Sequence, residues 1–224
     1  MTEPFIISIQ VGQPRTMLDT SGIDRLDPEW TSGIFKEPID GPVHLGSTGL
    51  EGDGQADLTV HGGPHQAVLF YSSSHYPDWR SELGLGDLAN GAFGENVTVR
   101  GQSEATVCIG DRYQIGEALV EVSQPRRPCW KVGRRHGIAD LPQRIQRTGR
   151  GGWYVRVLRE GAIQAGQPIA LIDRPHPEWT VARANDIMMG RERDHDLRMA
   201  FAACPALSPR WKSVISGSGP DRVS

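Results

Sequence analysis

The fold is indicated most clearly by the stretch Arg112-Tyr-Gln-Ile-Gly-Glu-Ala-Leu-Val-Glu-Val-Ser-Gln-Pro-Arg-Arg-Pro-Cys129. It joins two apolar segments through a short turn and ends in a cysteine that follows two prolines. Arg112–Ile115 and Ala118–Val122 flank Gly116-Glu117, a two-residue signal typical of a β-hairpin. Short apolar segments punctuated by 27 glycines and 16 prolines predict a mainly β fold, a barrel or a sandwich. The other predicted strands are Phe5–Val11, Ala67–Tyr71, Asn96–Val99, and a hairpin-like pair formed by Trp153–Leu158 and Pro168–Ile172.

Two segments between these strands have a different character. Thr16–Pro42 contains few apolar residues, which predicts a long excursion over the surface. Ser72-Ser-Ser74 is placed to cap a short helix that ends at Leu83. Within that helix Tyr76 and Trp79 would share one face with Leu83, at the i, i+3 and i+7 positions.

After residue 173 the residue pattern changes from one typical of strands to one typical of helices. Arg174-Pro-His-Pro177 breaks the β pattern, because each proline restricts itself and the residue before it. Three short helices follow, opened by Thr180, by Asp194 or Asp196, and by Ser208-Pro209, and covering Val181–Met189, Leu197–Cys204 and the segment to Ile215. We predict a β-barrel domain over residues 1–172, a helical subdomain over 173–216 and a disordered tail over 217–224.

Composition excludes several classes of protein. Three cysteines in 224 residues are an odd number, which excludes a disulfide framework and favours a reducing compartment. The apolar runs have strand length, far below the ~18 residues of a membrane span. The N-terminus lacks the basic and apolar regions of a secretory signal. We therefore expect a soluble cytoplasmic protein.

Positive charge is concentrated in one region of an acidic chain. Eight basic residues and one acidic residue lie between Pro125 and Arg150, a surplus of +7 where the whole chain has a net charge of −3. Such a run forms either a solvated helical face or an anion site, because guanidinium groups match phosphate oxygens in pairs. The C-terminal helices, with eight basic and six acidic residues after Asp173, are too weakly basic for DNA. A small phosphorylated ligand fits better than nucleic acid.

Cys129 is the strongest candidate for chemistry. It follows a predicted strand, lies beside Pro128 and Trp130, and has three nearby cations that favour the thiolate form. These cations are Arg126, Arg127 and Lys131. Cys108 and Cys204 lie in apolar surroundings, which predicts buried structural thiols.

Glycine-rich loops form a second candidate region. Glycine allows a ligand to approach main-chain amides closely, although each residue of these loops is also an ordinary turn residue. His61 and His65 are spaced like a zinc pair, but the Gly-Gly-Pro between them argues against the required helix. A cysteine-protease interpretation would need a base such as His136, and nothing in the sequence fixes its geometry. The segments concerned are Gly49–Asp57, His61–Gly63 and Phe93–Asn96.

Several blocks, in order along the chain, resemble the MOSC domain family, named for the C-terminal domain of molybdenum-cofactor sulfurase. They are Gly52-Asp-Gly-Gln-Ala-Asp57, His61-Gly-Gly-Pro64, Phe93-Gly-Glu-Asn96, Ile109-Gly-Asp111 and Gln124-Pro-Arg-x-Pro-Cys129. The C-terminal helices resemble the three-helix appendage of the YiiM-like bacterial branch. The resemblance implies a β-barrel-like fold and a molybdenum cofactor (molybdopterin) whose metal is bound by Cys129. It also implies reduction of N-hydroxylated bases and amines, including detoxification of 6-hydroxylaminopurine.

The resemblance also implies roles for individual residues. The implied catalytic residues are Cys129, Asp57, His61 and Asn96. The implied cofactor-binding residues are Gly52, Asp53, His61, Gly62, Gly63, Glu95, Asn96, Arg126, Arg127, Lys131 and Arg150. The chain departs from the family pattern at His65, where an acidic residue is common, and at Gln66, where a basic residue is common.

Two hypotheses remain open at this stage. In the first, the protein is an oxidoreductase that receives electrons from a separate reductase, since no flavin, haem or iron–sulfur motif is present. In the second, it is a carrier or cofactor-binding module in which Cys129 holds a persulfide. The sulfur would then come from another protein, because a pyridoxal-phosphate desulfurase needs a much longer chain. Either a monomer or a homodimer is compatible with the sequence, and no nucleic-acid or membrane partner is expected.

Overall fold

The structure, a computed structural model, describes residues 3–19, 22–23 and 28–217. Within these residues the strands are β1 Phe5–Val11, β2 Arg15–Leu18, β3 Glu29–Ser32, β4 Glu37–Pro38, β5 Val43–Gly46, β6 Gly49–Leu50, β7 Val68–Ser72, β8 Val97–Arg100, β9 Arg112–Ile115, β10 Ala118–Pro125, β11 Trp153–Arg159, β12 Gly161–Ile163 and β13 Ala170–Asp173. The α-helices are α1 Tyr76–Leu83, α2 Lys131–His136, α3 Leu141–Thr148, α4 Val181–Met188, α5 His195–Ala202 and α6 Pro209–Ile215. Short 3₁₀ turns cover Pro64–Gln66 and Ser73–His75.

A large curled sheet dominates the fold, as the sequence predicts. Its strand order is β13-β9-β10-β11-β7-β8-β1-β4, and neighbouring strands are antiparallel except for β7 and β8, which are parallel. Backbone hydrogen bonds from Ile6 N to Gln167 O (3.0 Å) and from Ile169 N to Pro4 O (2.8 Å) link β1 to the segment preceding β13. The sheet therefore curls into a barrel-like shape, and the mainly β prediction is confirmed.

The hairpin at Gly116-Glu117 is confirmed, because Ile115 pairs directly with Ala118. The second predicted hairpin-like pair is wrong. β11 pairs with β10 and β7, whereas β13 pairs with β9. Between them β12 pairs with β5 in a separate three-stranded sheet. Strand periodicity identifies which face of a strand is apolar but carries no information about its partner, so chain order alone suggested the incorrect pairing.

The predicted surface excursion is also more structured than its composition suggests. In its described part, β2 pairs with β3, and Trp30 and Ile34 are buried. They belong to a second hydrophobic core that also contains Trp79 of α1 and Phe93. A few large side chains are enough to anchor a segment whose remaining residues are polar.

The three C-terminal helices are confirmed, and their first turns are capped by Thr180, Asp194 and Ser208. They pack against the barrel core, to which they contribute Phe201 and Ile187. The predicted serine cap of α1 is wrong, because a 3₁₀ turn intervenes and the Ser72 hydroxyl instead donates to Gln102 O at 2.6 Å. The division into a barrel domain and a helical subdomain stays a prediction.

Of the predicted tail, residues 218–224 lie outside the described residues. Within the part of the chain that the structure describes, no helix is long and apolar enough to cross a membrane.

Candidate functional site

Cys129 lies at the junction of two neighbouring clefts at the rim of the barrel. The first cleft lies between the glycine-rich loops, β3 and the loop that follows β10. The second lies between that loop and the C-terminal helices. Five residues line both clefts: His61, Gln66, Arg127, Cys129 and Tyr154.

The local chain path explains why Cys129 is accessible. The main chain stays attached to the barrel as far as Arg126, whose N–H donates to Gly152 O at 3.0 Å. It then leaves the sheet, passes through Pro128 and enters α2 at Lys131. Cys129 is therefore half-buried, whereas Cys108 and Cys204 are buried as predicted. Burial raises the pKa of both buried thiols, so they stay neutral.

A polar network forms the floor of the first cleft. One Asp53 carboxylate oxygen accepts from Lys36 Nζ and from Gly12 N (2.8 Å), and the other accepts from Asn96 Nδ2 at 2.9 Å. Asn96 in turn accepts from Leu69 N at 3.2 Å, so it joins this network to β7. Burial lowers the pKa of Lys36, and the neighbouring Asp53 opposes that shift. Among the described residues that line this cleft, Asp53 is the one carboxylate, and it is paired with a lysine.

Arg126 also lines the first cleft, and it is only 6% exposed. Its Nη2 donates to Phe93 O at 2.9 Å, whereas its buried Nη1 has no hydrogen-bond partner in the described structure. A buried guanidinium with an unsatisfied N–H is costly unless an anion compensates it. The cleft wall carries two further cations, Arg127 and Lys131. These positions favour a negatively charged ligand.

Two glycines bring the main chain close to the same space. Gly62 has φ +79°, and a Cβ there would lie 2.7 Å from the side-chain oxygen of Gln55. Gly94 has φ +84°, and its Cβ would lie 2.8 Å from Ile34 Cγ1. Only glycine tolerates both this backbone region and this crowding. The two glycines therefore allow their loops to pack closely against Gln55 and Ile34 in the lining of the first cleft.

Two ionisable side chains beside Cys129 are held neutral. Burial lowers the pKa of His61, and the positive charges of Lys131 and Arg126 lower it further. Burial raises the pKa of Tyr154, so its phenol keeps its proton. The sequence analysis did not select Tyr154 or Lys36. A signal for Tyr154 did exist, since adjacent Trp153 and Tyr154 on one strand must face opposite sides and Trp153 fills the core.

Some residues implied by the resemblance lie away from the cleft lining. Glu95 is buried beneath the loop, where it accepts hydrogen bonds from the backbone N–H groups of Gly91 and Phe93. Arg150 pairs with Glu82 at 2.8 Å and stacks over Trp79.

The remaining implied residues shape the glycine-rich loops. Asp57 is exposed and accepts hydrogen bonds from Thr59 N and Oγ1, which lower its pKa, while its carbonyl accepts from His61 N. Gly52 and Gly63 both have positive φ values in the loops that flank the first cleft, and neither is among its lining residues.

The alternatives weighed from sequence can also be compared with the geometry. A His136 ring nitrogen hydrogen-bonds to Ala92 O at 2.8 Å and the ring packs on Phe93, and His136 is not among the residues that line either cleft. Among the described residues, no group of three or more His, Cys, Asp or Glu side chains is placed to hold a metal ion.

Comparisons with known proteins agree with this arrangement. Residues 57–170 match the MOSC domain, and residues 179–213 match the YiiM-like, 3-alpha helix domain. The chain is 39% identical over 209 residues to the uncharacterized protein YflK of Bacillus subtilis, covering 93% of this chain and 91% of that protein. It is 43% identical over 171 residues to a protein of Gibberella moniliformis named Reductase, covering 74% of this chain and 30% of that protein. The crystal structure of YiiM from Geobacillus stearothermophilus is similar with a TM-score of 0.79 and 35% identity, covering 96% of this chain and 98% of that one.

Proposed function

The chain belongs to the MOSC domain family, and on that premise we propose that it is a molybdenum-cofactor-dependent reductase of N-hydroxylated bases or amines. The observation that carries the proposal is the presence, in one cleft, of the half-buried Cys129 thiol and the unsatisfied guanidinium of Arg126. A thiolate suits a thiophilic metal, and a buried cation suits the phosphate of molybdopterin.

The residues present fit such a group. Cys129 would be the metal ligand from the protein, and Arg126, Arg127 and Lys131 would hold the anionic part of the cofactor. Asn96 and the loop at Gly62 would position the pterin. When bound, the cofactor would supply a metal centre that carries two electrons.

The reaction consumes two electrons and two protons: R–NHOH + 2 e⁻ + 2 H⁺ gives R–NH₂ + H₂O. The N–O bond breaks, and the leaving hydroxyl needs a proton to depart as water. Tyr154 holds a proton beside Cys129, because burial raises the pKa of its phenol. We propose that Tyr154 donates one proton to the leaving oxygen, and that neutral His61 exchanges protons with solvent to restore it. The second proton, which the nitrogen takes to become the amine, would come from solvent by the same route.

Electrons would come from a separate reductase. The relative named Reductase is matched over 30% of its length, so most of that protein has no counterpart in the chain studied. A separate electron donor would explain why the sequence contains a candidate substrate site but no motif for a second redox group.

The direct test measures molybdenum and pterin in protein purified gently from a host that makes the cofactor. We expect near-stoichiometric molybdenum in the wild type and in Cys108→Ala, whose thiol is buried elsewhere, and a loss in Cys129→Ala. Cys129→Ser should abolish reduction of N-hydroxylated bases while the fold stays intact. Full activity of Cys129→Ser with intact cofactor loading would refute the assignment.

A second candidate function is favoured by the accessibility of Cys129 from both clefts. In this alternative Cys129 carries a persulfide for delivery to a cofactor. After incubation with a cysteine desulfurase, mass spectrometry would detect one added sulfur, about +32 Da, confined to Cys129. Such an adduct, together with no molybdenum and no pterin in the wild type, would support sulfur carriage over reduction.

A further inference from the structure

The second cleft reaches Cys129 on the side of the C-terminal helices. One wall is the loop containing Val60 and His61, and the other is formed by Met188 of α4 and Val214 of α6. Arg210 of α6 closes one end by donating from Nη1 to Val60 O at 3.0 Å. The C-terminal helices thus build a compartment that shares Cys129 with the first cleft.

Gln124 places a buried hydrogen-bond acceptor in the second cleft. It lines the second cleft, is only 4% exposed, and its carboxamide oxygen is buried with no hydrogen-bond partner in the described structure. A buried acceptor without a donor is rare and costly in a folded protein. A ligand that places an N–H group in this cleft would supply the missing hydrogen bond.

The rest of the lining favours a ligand with an apolar body. Met188 and Val214 are half-buried and stand beside Trp211 and Val60. Such side chains bury the faces of a flat molecule without forming hydrogen bonds in its plane. Because methionine and valine side chains form no hydrogen bonds that would orient a ligand, its orientation would depend on the few polar groups of the cleft, chiefly Gln124.

The charge of the residues that line the second cleft also restricts which ligands can bind. Among the described residues that line the second cleft, none is acidic, whereas Arg127 and Arg210 are basic. A cationic ligand would enter against this potential, and a neutral ligand would not. The compartment therefore disfavours an amidinium or an alkylammonium ion.

We propose that the second cleft is the substrate site, and that it takes a small, flat, uncharged molecule that donates an N–H group to Gln124. The C-terminal helices hold the body of this molecule while its N–OH end lies toward Cys129 and Tyr154. Its role as substrate rests on the proposed function, whereas its binding in this cleft does not. The helical segment would then determine substrate specificity, and the glycine-rich loops would hold the cofactor.

Binding is tested by calorimetric titration of 6-hydroxylaminopurine into cofactor-free protein. We expect Gln124→Met to weaken binding about 10-fold, the effect of one lost hydrogen bond. Val214→Trp, which fills the cleft, should abolish binding, whereas Ser213→Trp on the same helix should not. The ligand 6-methoxy-9-methylpurine, which has no N–H group, should bind wild type more weakly and should not distinguish wild type from Gln124→Met. The cation benzamidine should bind at least about 10-fold more weakly than 6-hydroxylaminopurine.

Cofactor content in the same variants separates this proposal from the proposed function. Gln124→Met and Val214→Trp should keep wild-type molybdenum and pterin, and Arg126→Leu should contain less of both yet still bind the purine. If the wild type contained no molybdenum, the purine titration would still test the second cleft. Absence of purine binding to the wild type would overturn the proposal. Purine binding that survives Val214→Trp and disappears in Arg126→Leu would also overturn it, because the purine would then occupy the first cleft.

Discussion

Arg126 donates through Nη2 to the carbonyl oxygen of Phe93 at 2.9 Å, while Nη1 of the same buried guanidinium has no partner in the described structure. The hydrogen bond ties the loop that follows β10 to the loop that contains Gly94, so the two sides of the first cleft are linked through one cation. The unsatisfied N–H on that cation leaves a donor at the cleft wall, where a bound anion would complete its hydrogen bonding.

Replacing Arg126 by leucine should lower affinity for molybdopterin by about 10–100-fold, because a hydrogen bond to a charged group contributes about 1.5–3 kcal/mol. Pterin fluorescence and molybdenum content per folded protein measure the loss. Arg150→Leu is the matched control, since Arg150 pairs with Asp78 and Glu82 instead of lining the cleft. Equal losses in both variants would contradict the role assigned to Arg126.

Asp53→Asn should destabilise the protein at pH 7 by about 3–5 kcal/mol, because it leaves the buried Lys36 ammonium without its carboxylate. Chemical denaturation measures the change in the free energy of unfolding. Lys36→Met combined with Asp53→Asn should recover most of the loss, because neither residue is then charged. A double variant as unstable as Asp53→Asn alone would show that the pair itself is not responsible.

The same pair should make stability depend on alkaline pH. Burial lowers the pKa of Lys36 below its ordinary value of 10.5, so between the folded and unfolded pKa values the unfolded chain binds more protons. The free energy of unfolding therefore rises as the pH rises through this range. Without Asp53 the pKa of Lys36 falls further, and the penalty of Asp53→Asn should shrink toward pH 10.5. A penalty independent of pH would contradict this account.

His61 should titrate below its ordinary pKa of 6.5, and Lys131→Met should move its pKa upward by removing a neighbouring positive charge. Proton NMR titration measures the shift, and the His61→Gln spectrum identifies the resonance among those of seven histidines. Because the unfolded state binds this proton first, the free energy of unfolding falls as the pH drops below 6.5. Lys131→Met should reduce that fall. An unchanged His61 titration would place Lys131 too far away to act on it.

Glu95→Gln should lower the stability of the fold, and this effect should precede any effect on cofactor binding. Its carboxylate accepts from two backbone N–H groups and from the hydroxyls of Tyr76 and Thr98, and an amide cannot accept all four bonds. A loss of about 3 kcal/mol lowers Tm by roughly 6–12 °C. Thermal unfolding followed by circular dichroism measures it, with the exposed Glu82→Gln as control. An unchanged Tm with lost cofactor would instead make Glu95 a ligand contact.

The hairpin at Gly116-Glu117 and the caps at Thr180 and Ser208 are local features, and the sequence predicts them correctly because a turn or cap depends on neighbouring residues. Pairing between distant strands is not local. β11 and β13 are close to each other in the chain, yet they pair with different strands. No pattern within either strand specifies which strand it pairs with.

For the candidate site, the sequence by itself predicted Cys129, the surrounding cations and the glycine-rich loops, because each follows from residue type and short-range spacing. Only the tertiary structure placed Lys36 against Asp53, moved Glu95 and Arg150 out of the cleft lining, and brought Tyr154 and α6 to the cysteine. Burial and charge pairing decide which of these groups stay free to bind a ligand. Both depend on segments far apart in the chain, and they become fixed only when the barrel curls and the helices pack against it.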